Sequence, residues 1–235
     1  PIKSSAASDV YKRQTPLTLI IAPLTDLLHK EDMPPAYRQP LELINRNSQR
    51  LLWLVNRLMD FHKLEAGKMQ LHVSNYNLGT YIPEIIKLFM PVAEKKNISI
   101  EFNDTTSSTD TWFDAILLEK VFFNLLSNSL KHTPNGGYII ISSMETNTED
   151  IQKPENLGLP AGKILLIKVE DSGSGIPANM MPRIFEAFFQ AGEKVLGSGI
   201  GLNLTKSIIE LHGGRIWIDN KDCLLYTSPS PRDAH

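Results

Sequence analysis

Asn124 and Asn128 stand four residues apart in NLLSNSLKHTP, with Lys131 and His132 about one turn further on. On a helix that spacing puts both carboxamides on one face. Two carboxamide oxygens can complete the coordination of a magnesium ion whose other ligands are phosphates and water. Lys131 could neutralise phosphate charge. His132 could pack over a base or cap the helix near Thr133-Pro134, and a lone histidine in such a place is more often structural. In VEDSGSGIP a strand delivers Asp171 at its end, and Gly173 and Gly175 let the backbone approach a ligand where a Cβ would collide. A tight turn would account for that stretch equally well. In GSGIGL, residues 197–202, glycines precede an apolar helix. Free amides and the positive end of the helix dipole there make a seat for phosphate, with plain helix capping as the competing explanation.

The elements that must position these residues follow from apolar spacing. After Thr15, the residues Leu17, Ile20, Ile21, Leu24, Leu27 and Leu28 recur at helical intervals, and HKEDMPPAYRQP supplies turn and breaker residues. A longer helix follows, with Leu41, Ile44, Leu51, Leu54, Val55, Leu58, Phe61 and Leu64 as one broad stripe closed by Ala66-Gly67. A hairpin of two such helices buries too little apolar surface alone, so it is expected to pair with a second copy as a four-helix bundle. From Met69 the pattern mixes. MQLHV reads as a strand, LGTYIPEIIKLFMPVAEKK as a helix, ISIEF as a strand and DAILLEKVFFNLLSNSLKHT as a helix. YIIISSM and ILLIKVED read as strands, GIGLNLTKSIIELHG as a helix and RIWID as a last strand, with the polar ETNTEDIQKPENLGLPAG as a surface loop. The expected class is α+β: a helical hairpin, then an α/β sandwich with helices on one face of a mixed sheet.

The order of asparagine helix, Asp-x-Gly-x-Gly, the phenylalanine segment RIFEAFFQ and Gly-x-Gly-x-Gly-Leu resembles the ATP-binding domain of sensor histidine kinases, shared more distantly with gyrase, heat-shock chaperones and mismatch-repair ATPases. The resemblance covers Thr15 to about Asp219. TPLTLI, LLWLVNRLMDFHKLEAGKMQL and the long polar loop most resemble hybrid two-component sensors of gut-type bacteria. It implies that Asp171 accepts the adenine amino group, with Gly173, Gly175 and Ile176 shaping that pocket. It also implies that Asn128, together with Asn124, holds Mg2+ and that Lys131 contacts phosphate, with His132 beside the nucleotide. Residues from about Met180 to Leu196 would form a lid over ATP, anchored by Phe185, Phe188 and Phe189, for which core packing is an equal alternative. Gly197, Gly199, Ile200, Gly201 and Leu202 would bring amides onto the phosphates.

One departure favours phosphotransfer over hydrolysis. ATP-hydrolysing members of the wider superfamily place a water-activating glutamate one turn before the magnesium asparagine, where this chain has Asn124. A carboxamide cannot take a proton from water at neutral pH. A second departure concerns the phosphoacceptor motif of the resemblance, His-Glu-x-x-Thr-Pro. Counting back from Thr15 gives Tyr11 and Lys12, a protonated phenol and a charged amine that form no nucleophile and base pair. As written, the chain is not expected to autophosphorylate. Either the phosphoacceptor was lost in a degenerate kinase, or the residues before Thr15 are not native. The second is favoured because SSAASDVYKRQ and CLLYTSPSPRDA look like translated sequencing-library adapter.

The expected organisation is a non-native tail over 1–14, a dimerisation hairpin over 15–66, an ATP-binding domain over 67–220 lacking its closing strands, and a second non-native tail over 221–235. Charge balance, 24 Lys plus Arg against 26 Asp plus Glu, offers no basic surface for nucleic acid. The lone Cys223 excludes an internal disulfide and a thiolate metal cluster. No apolar run reaches bilayer length. The resemblance implies a cytoplasmic portion of a protein anchored in the bacterial inner membrane. It also implies a homodimer through the hairpin, ATP and Mg2+ as cofactors, and a response-regulator receiver domain, separate or fused, as phosphoryl acceptor. The rival expectation is a non-catalytic ATP-binding regulator without the phosphoacceptor histidine.

Overall fold

The computed structural model describes residues 19–30, 33–106, 111–150, 158, 161–190 and 199–218, and the backbone of 223–227. Tyr11, Lys12, Thr15 and Gly197 lie outside the described residues. The chain divides after Met69 into two compact units.

In the first unit residues 19–28 form helix α1, whose less exposed side chains, Ile21, Leu24, Thr25 and Leu28, recur at helical spacing. Helix α2 spans Pro35–Glu65. It begins inside the stretch expected to be a turn. Pro35 sits in the opening turn, where a missing N–H costs nothing, and Pro40 forfeits one bond in a 31-residue helix. Phe61 is buried and Leu41, Leu54, Val55 and Leu64 are partly buried, whereas Ile44, Leu51 and Leu58 of the expected stripe stay exposed.

Among its described residues the second unit contains two sheets and three α-helices. Strands β1 (Ser74–Tyr76) and β3 (Thr111–Phe113) pair antiparallel. The five-stranded sheet has the order β2-β4-β5-β7-β6, from β2 (Ser99–Asp104), β4 (Tyr138–Asn147), β5 (Lys163–Asp171), β6 (Arg215–Ile218) and β7 (Cys223–Thr227). β2 runs parallel to β4 and the other pairings are antiparallel, so the sheet is mixed as expected. Helices α3 (Leu78–Lys95), α4 (Ala115–His132) and α5 (Gly201–Leu211) pack on it and on one another. The core is apolar and densely shared: Ile82, Val121, Phe122, Leu126, Ile139, Ile141, Ile208 and Ile209 are wholly buried.

Two expectations differ from this fold. MQLHV, residues 69–73, is not a strand; the pairing segment starts at Ser74. The His72 N–H donates to Asp114 Oδ2 at 2.8 Å, tying the stretch to a helix cap rather than to a ladder. The sheet also does not end at β6. Cys223–Thr227, within the stretch expected to be a non-native tail, forms a strand between β5 and β6, with Val169 opposite Cys223 and Ile218 also opposite Cys223. The five residues CLLYT are mostly apolar, aromatic or β-branched, and the antiparallel pairing with β6 needs only a short connection.

Candidate functional site

Helix α4 is the frame of the site. Asp114 caps it, its Oδ1 accepting from Leu117 N at 3.0 Å, and Asp114 itself is buried. Apolar residues bury most of the helix, which leaves Asn124 in an unusual position: only 2% exposed. Its Nδ2 donates to the Gly201 carbonyl and to Thr205 Oγ1, both at 3.2 Å, while its Oδ1 is buried and accepts no hydrogen bond. One turn later Asn128 is partly buried, and Lys131 and His132 are exposed at the helix end.

Asp171 ends β5 and turns back on itself, Oδ1 accepting from Gly173 N at 2.9 Å. A Cβ on Gly173 would lie 2.7 Å from that oxygen and 3.1 Å from the His132 carbonyl, so the turn and the end of α4 meet only because residue 173 is glycine. Gly175 has φ +69°, the left-handed region that glycine adopts without strain. Ser172 locks the turn's base, its N–H donating to Tyr138 O at 3.0 Å and its Oγ accepting from Tyr138 N at 2.9 Å. Burial holds His132 below the ordinary histidine value, with Lys131 and Lys96 adding to the shift and Asp171 opposing it. The shift favours the neutral imidazole over the charged one.

Helix α5 opens at Gly201 with Ile200 as its N-cap and no side-chain hydrogen bond at the cap. The first intrahelical bond runs from Leu204 N to Ile200 O, so the amides of Gly201, Leu202 and Asn203 have no intrahelical partner. The phenylalanine segment is fastened to this end. Asn203 Nδ2 donates to Phe185 O at 2.9 Å and Phe188 N donates to Gly199 O at 2.9 Å. Phe188 has φ +64° and is 58% exposed, which is neither core packing nor a buried anchor; Phe185 and Phe189 are partly buried. Ile200 is buried, and Ile176 and Leu202 are partly buried. Of the stretch expected to be a lid, residues 191–196 lie outside the described residues.

α4 thus sets the scale of the site. Asn124 meets the start of α5, His132 meets the Asp171 turn, and the eight steps of helix from one to the other span about 12 Å at about 1.5 Å per step. Asn128 sits midway. Among the described residues no cluster of three His, Cys, Asp or Glu could hold a metal. A hard cation here would draw one carboxamide oxygen from Asn128 and the rest from phosphate and water, which suits magnesium. Asn124 does not fit the metal role expected of it, because its amide is committed to α5 and its oxygen is closed from solvent. Sequence reasoning missed Asn203, Thr205 and Ser172. Only the polar positions within GLNLT hinted at the first two.

The sequence pattern of the family described as histidine kinase-, DNA gyrase B-, and HSP90-like ATPase matches residues 113–231. Hybrid signal transduction histidine kinase D of Dictyostelium discoideum is 35% identical over 89% of this chain, which spans 13% of that relative's length. Full-length ShkA in complex with AMPPNP shares the fold with a TM-score of 0.71 at 20% identity, over 96% of this chain and 46% of that one. Histidine kinase ThkA, solved in complex with response regulator protein TrrA, shares it with a TM-score of 0.60 at 22% identity, over 99% of this chain and 63% of that one. The chain belongs to the histidine kinase-, DNA gyrase B-, and HSP90-like ATPase family.

Proposed function

We propose that this chain is the ATP-binding and phosphotransfer core of a sensor histidine kinase. The observation that carries the reading is the pairing of two halves along α4: a carboxylate turn at Asp171 by its end, and the uncapped start of α5 about 12 Å away. Asp171 Oδ1 is taken by Gly173 N–H, which leaves Oδ2 to accept from an adenine amino group. The amides of Gly201, Leu202 and Asn203 receive phosphate oxygens. Asn128 is the protein ligand to Mg2+, which supplies charge neutralisation on the phosphates, and Lys131 contacts phosphate. No carboxylate stands where a water-activating base would, so catalysis is positioning plus charge stabilisation.

The exposed Ile44, Leu51 and Leu58 of α2 lie seven residues apart, the spacing of a helix seam, and Ile20 and Leu27 of α1 repeat it. Two copies joined along that seam bury it. The phosphoryl group passes from ATP to a histidine and then to an aspartate of a response regulator. The similarity to the ThkA fold, solved with a response regulator, supports that partner. The described residues belong on the cytoplasmic side of a membrane-anchored sensor; none of their helices is long and apolar enough to cross a membrane.

Tyr11 and Lys12, at the phosphoacceptor positions, favour a second reading, an ATP-binding regulator that transfers nothing. The double substitution Tyr11→His with Lys12→Glu separates the two. Radiolabel from γ-labelled ATP appearing on the double variant and not on the parent supports the kinase. ATP binding with no label on either supports the regulator.

A further inference from the structure

We propose that Asn124 is a positioning residue that clamps the start of α5 against α4 and so shapes the phosphate seat, without touching the metal. This deepens the ATP-binding reading and rests on it. Nδ2 has two N–H groups and both partners it meets are acceptors: the Gly201 carbonyl and Thr205 Oγ1, each at 3.2 Å. The two partners stand four residues apart, at the start of the first and of the second turn of α5, so a single amide fixes both the position and the rotation of the helix start. Gly201 is also one of the three residues whose N–H has no intrahelical partner. Its carbonyl is held by Asn124 while its amide stays outside the intrahelical ladder.

The chemistry explains why the residue is a carboxamide. A carboxylate of the same shape has no donor and would set an oxygen against the Gly201 carbonyl inside a closed contact, where Thr205 is wholly buried and Ile200 is 4% exposed. An alanine would leave both acceptors without their donor. The water-activating acid of hydrolytic relatives is therefore incompatible with this packing, and the loss of that acid and the presence of the clamp are one feature. The buried Oδ1 has no opening to a cation in this arrangement.

The test is titration calorimetry on the full chain with AMPPNP in magnesium, AMPPNP in EDTA, and adenosine alone, for wild type, Asn124→Asp, Asn124→Ala, Thr205→Val and the Asn124→Ala/Thr205→Val pair. The clamp predicts about a tenfold loss of AMPPNP affinity for Asn124→Asp, the worth of one good hydrogen bond, in magnesium and in EDTA alike. Adenosine affinity and the magnesium concentration at half-saturation stay unchanged. The effects of the Ala and Val substitutions are not additive, because they remove the same contact.

A loss that disappears in EDTA, or an Asn124→Asp variant that saturates at lower magnesium, makes Asn124 a metal ligand and overturns the proposal. A lower melting temperature with every affinity intact reduces Asn124 to packing and also overturns it. If Asn124→Asp does not fold, Thr205→Val carries the test on the same three ligands. Failure of wild type to bind AMPPNP sinks the ATP reading and this proposal with it, whereas wild-type binding indifferent to both sites sinks the proposal alone.

Discussion

Gly199 and Phe188 meet backbone to backbone: Phe188 N donates to Gly199 O at 2.9 Å, and a Cβ on Gly199 would fall within 2.8 Å of three Phe188 backbone atoms. Both residues sit at positive φ, +68° and +64°. The contact joins the phenylalanine segment to the residue just ahead of α5, so the second glycine of the loop is required by its neighbour as well as by any ligand. Gly199→Ala should cost roughly 1–3 kcal/mol from left-handed strain alone, more with the collision. A thermal melt and an AMPPNP titration check it: both stability and affinity fall, whereas an unchanged melt would show that the loop gives way easily.

Asp114 accepts from two backbone amides, His72 N through Oδ2 and Leu117 N through Oδ1, while its own N–H donates to His212 Nε2 at 3.1 Å. His212 Nδ1 lies 2.8 Å from the Ile208 carbonyl, so the tautomer with its proton on Nδ1 serves both contacts, donating to that carbonyl and accepting from Asp114 N through Nε2. Asp114 therefore joins three segments, its carboxylate holding the stretch before β1 and the start of α4 and its backbone N–H reaching the residue that closes α5. Asp114→Ala should lose about 2–3 kcal/mol, from a missing cap and an orphaned amide. Chemical denaturation reads that loss; a change below 0.5 kcal/mol would mean that water replaces both bonds.

Much of this was legible in the sequence where periodicity was strong. α4 and α5 carry long apolar repeats and β4 and β5 are rich in Ile, Leu and Val, so their types follow from pattern. Asp171, Gly173 and Gly199 were singled out by spacing, and close backbone approach accounts for the two glycines. The failures have separate causes. MQLHV alternates like a strand, yet a side chain 42 residues away captures its backbone amide, a tertiary effect with no local trace. Asn124 looked like a ligand because it shares a helix face with Asn128. That α5 would stand against that face is set by topology, which single-sequence spacing does not contain.

His132 supplies a pH dependence. Its pKa is lowered in the folded chain, so the unfolded chain holds more protons on this residue between the folded value and the ordinary one of 6.5. Stability from this group is complete above about pH 6.5 and is lost as pH falls through that window. Thermal melts from pH 7.5 to 5 should decline less steeply for His132→Gln than for the parent. Parallel curves would show that other groups carry the acid sensitivity.

The seam on α2 predicts an assembly state. Leu51 is 51% exposed between Ile44 and Leu58, so Leu51→Glu places a charge in the centre of the proposed dimer contact without disturbing a buried side chain. Two lost leucines at about 1.5–3 kcal/mol each weaken the dimer by on the order of 100-fold or more. Light scattering across a dilution series should find a dimer for the parent and a monomer for the variant. A parent that stays monomeric at every concentration would remove the seam from the account.

The central claim is that Asp171 reads adenine while α5 holds the phosphates. The most direct measurement is calorimetric titration of AMPPNP and of the matching guanine nucleotide into the full chain and into Asp171→Asn, which keeps an oxygen for Gly173 N–H. The account predicts that the parent binds the adenine nucleotide and rejects the guanine one, and that Asp171→Asn loses about 10- to 100-fold in adenine nucleotide affinity with little change in melting temperature. Equal binding of both nucleotides, or adenine affinity that survives Asp171→Asn intact, would contradict it.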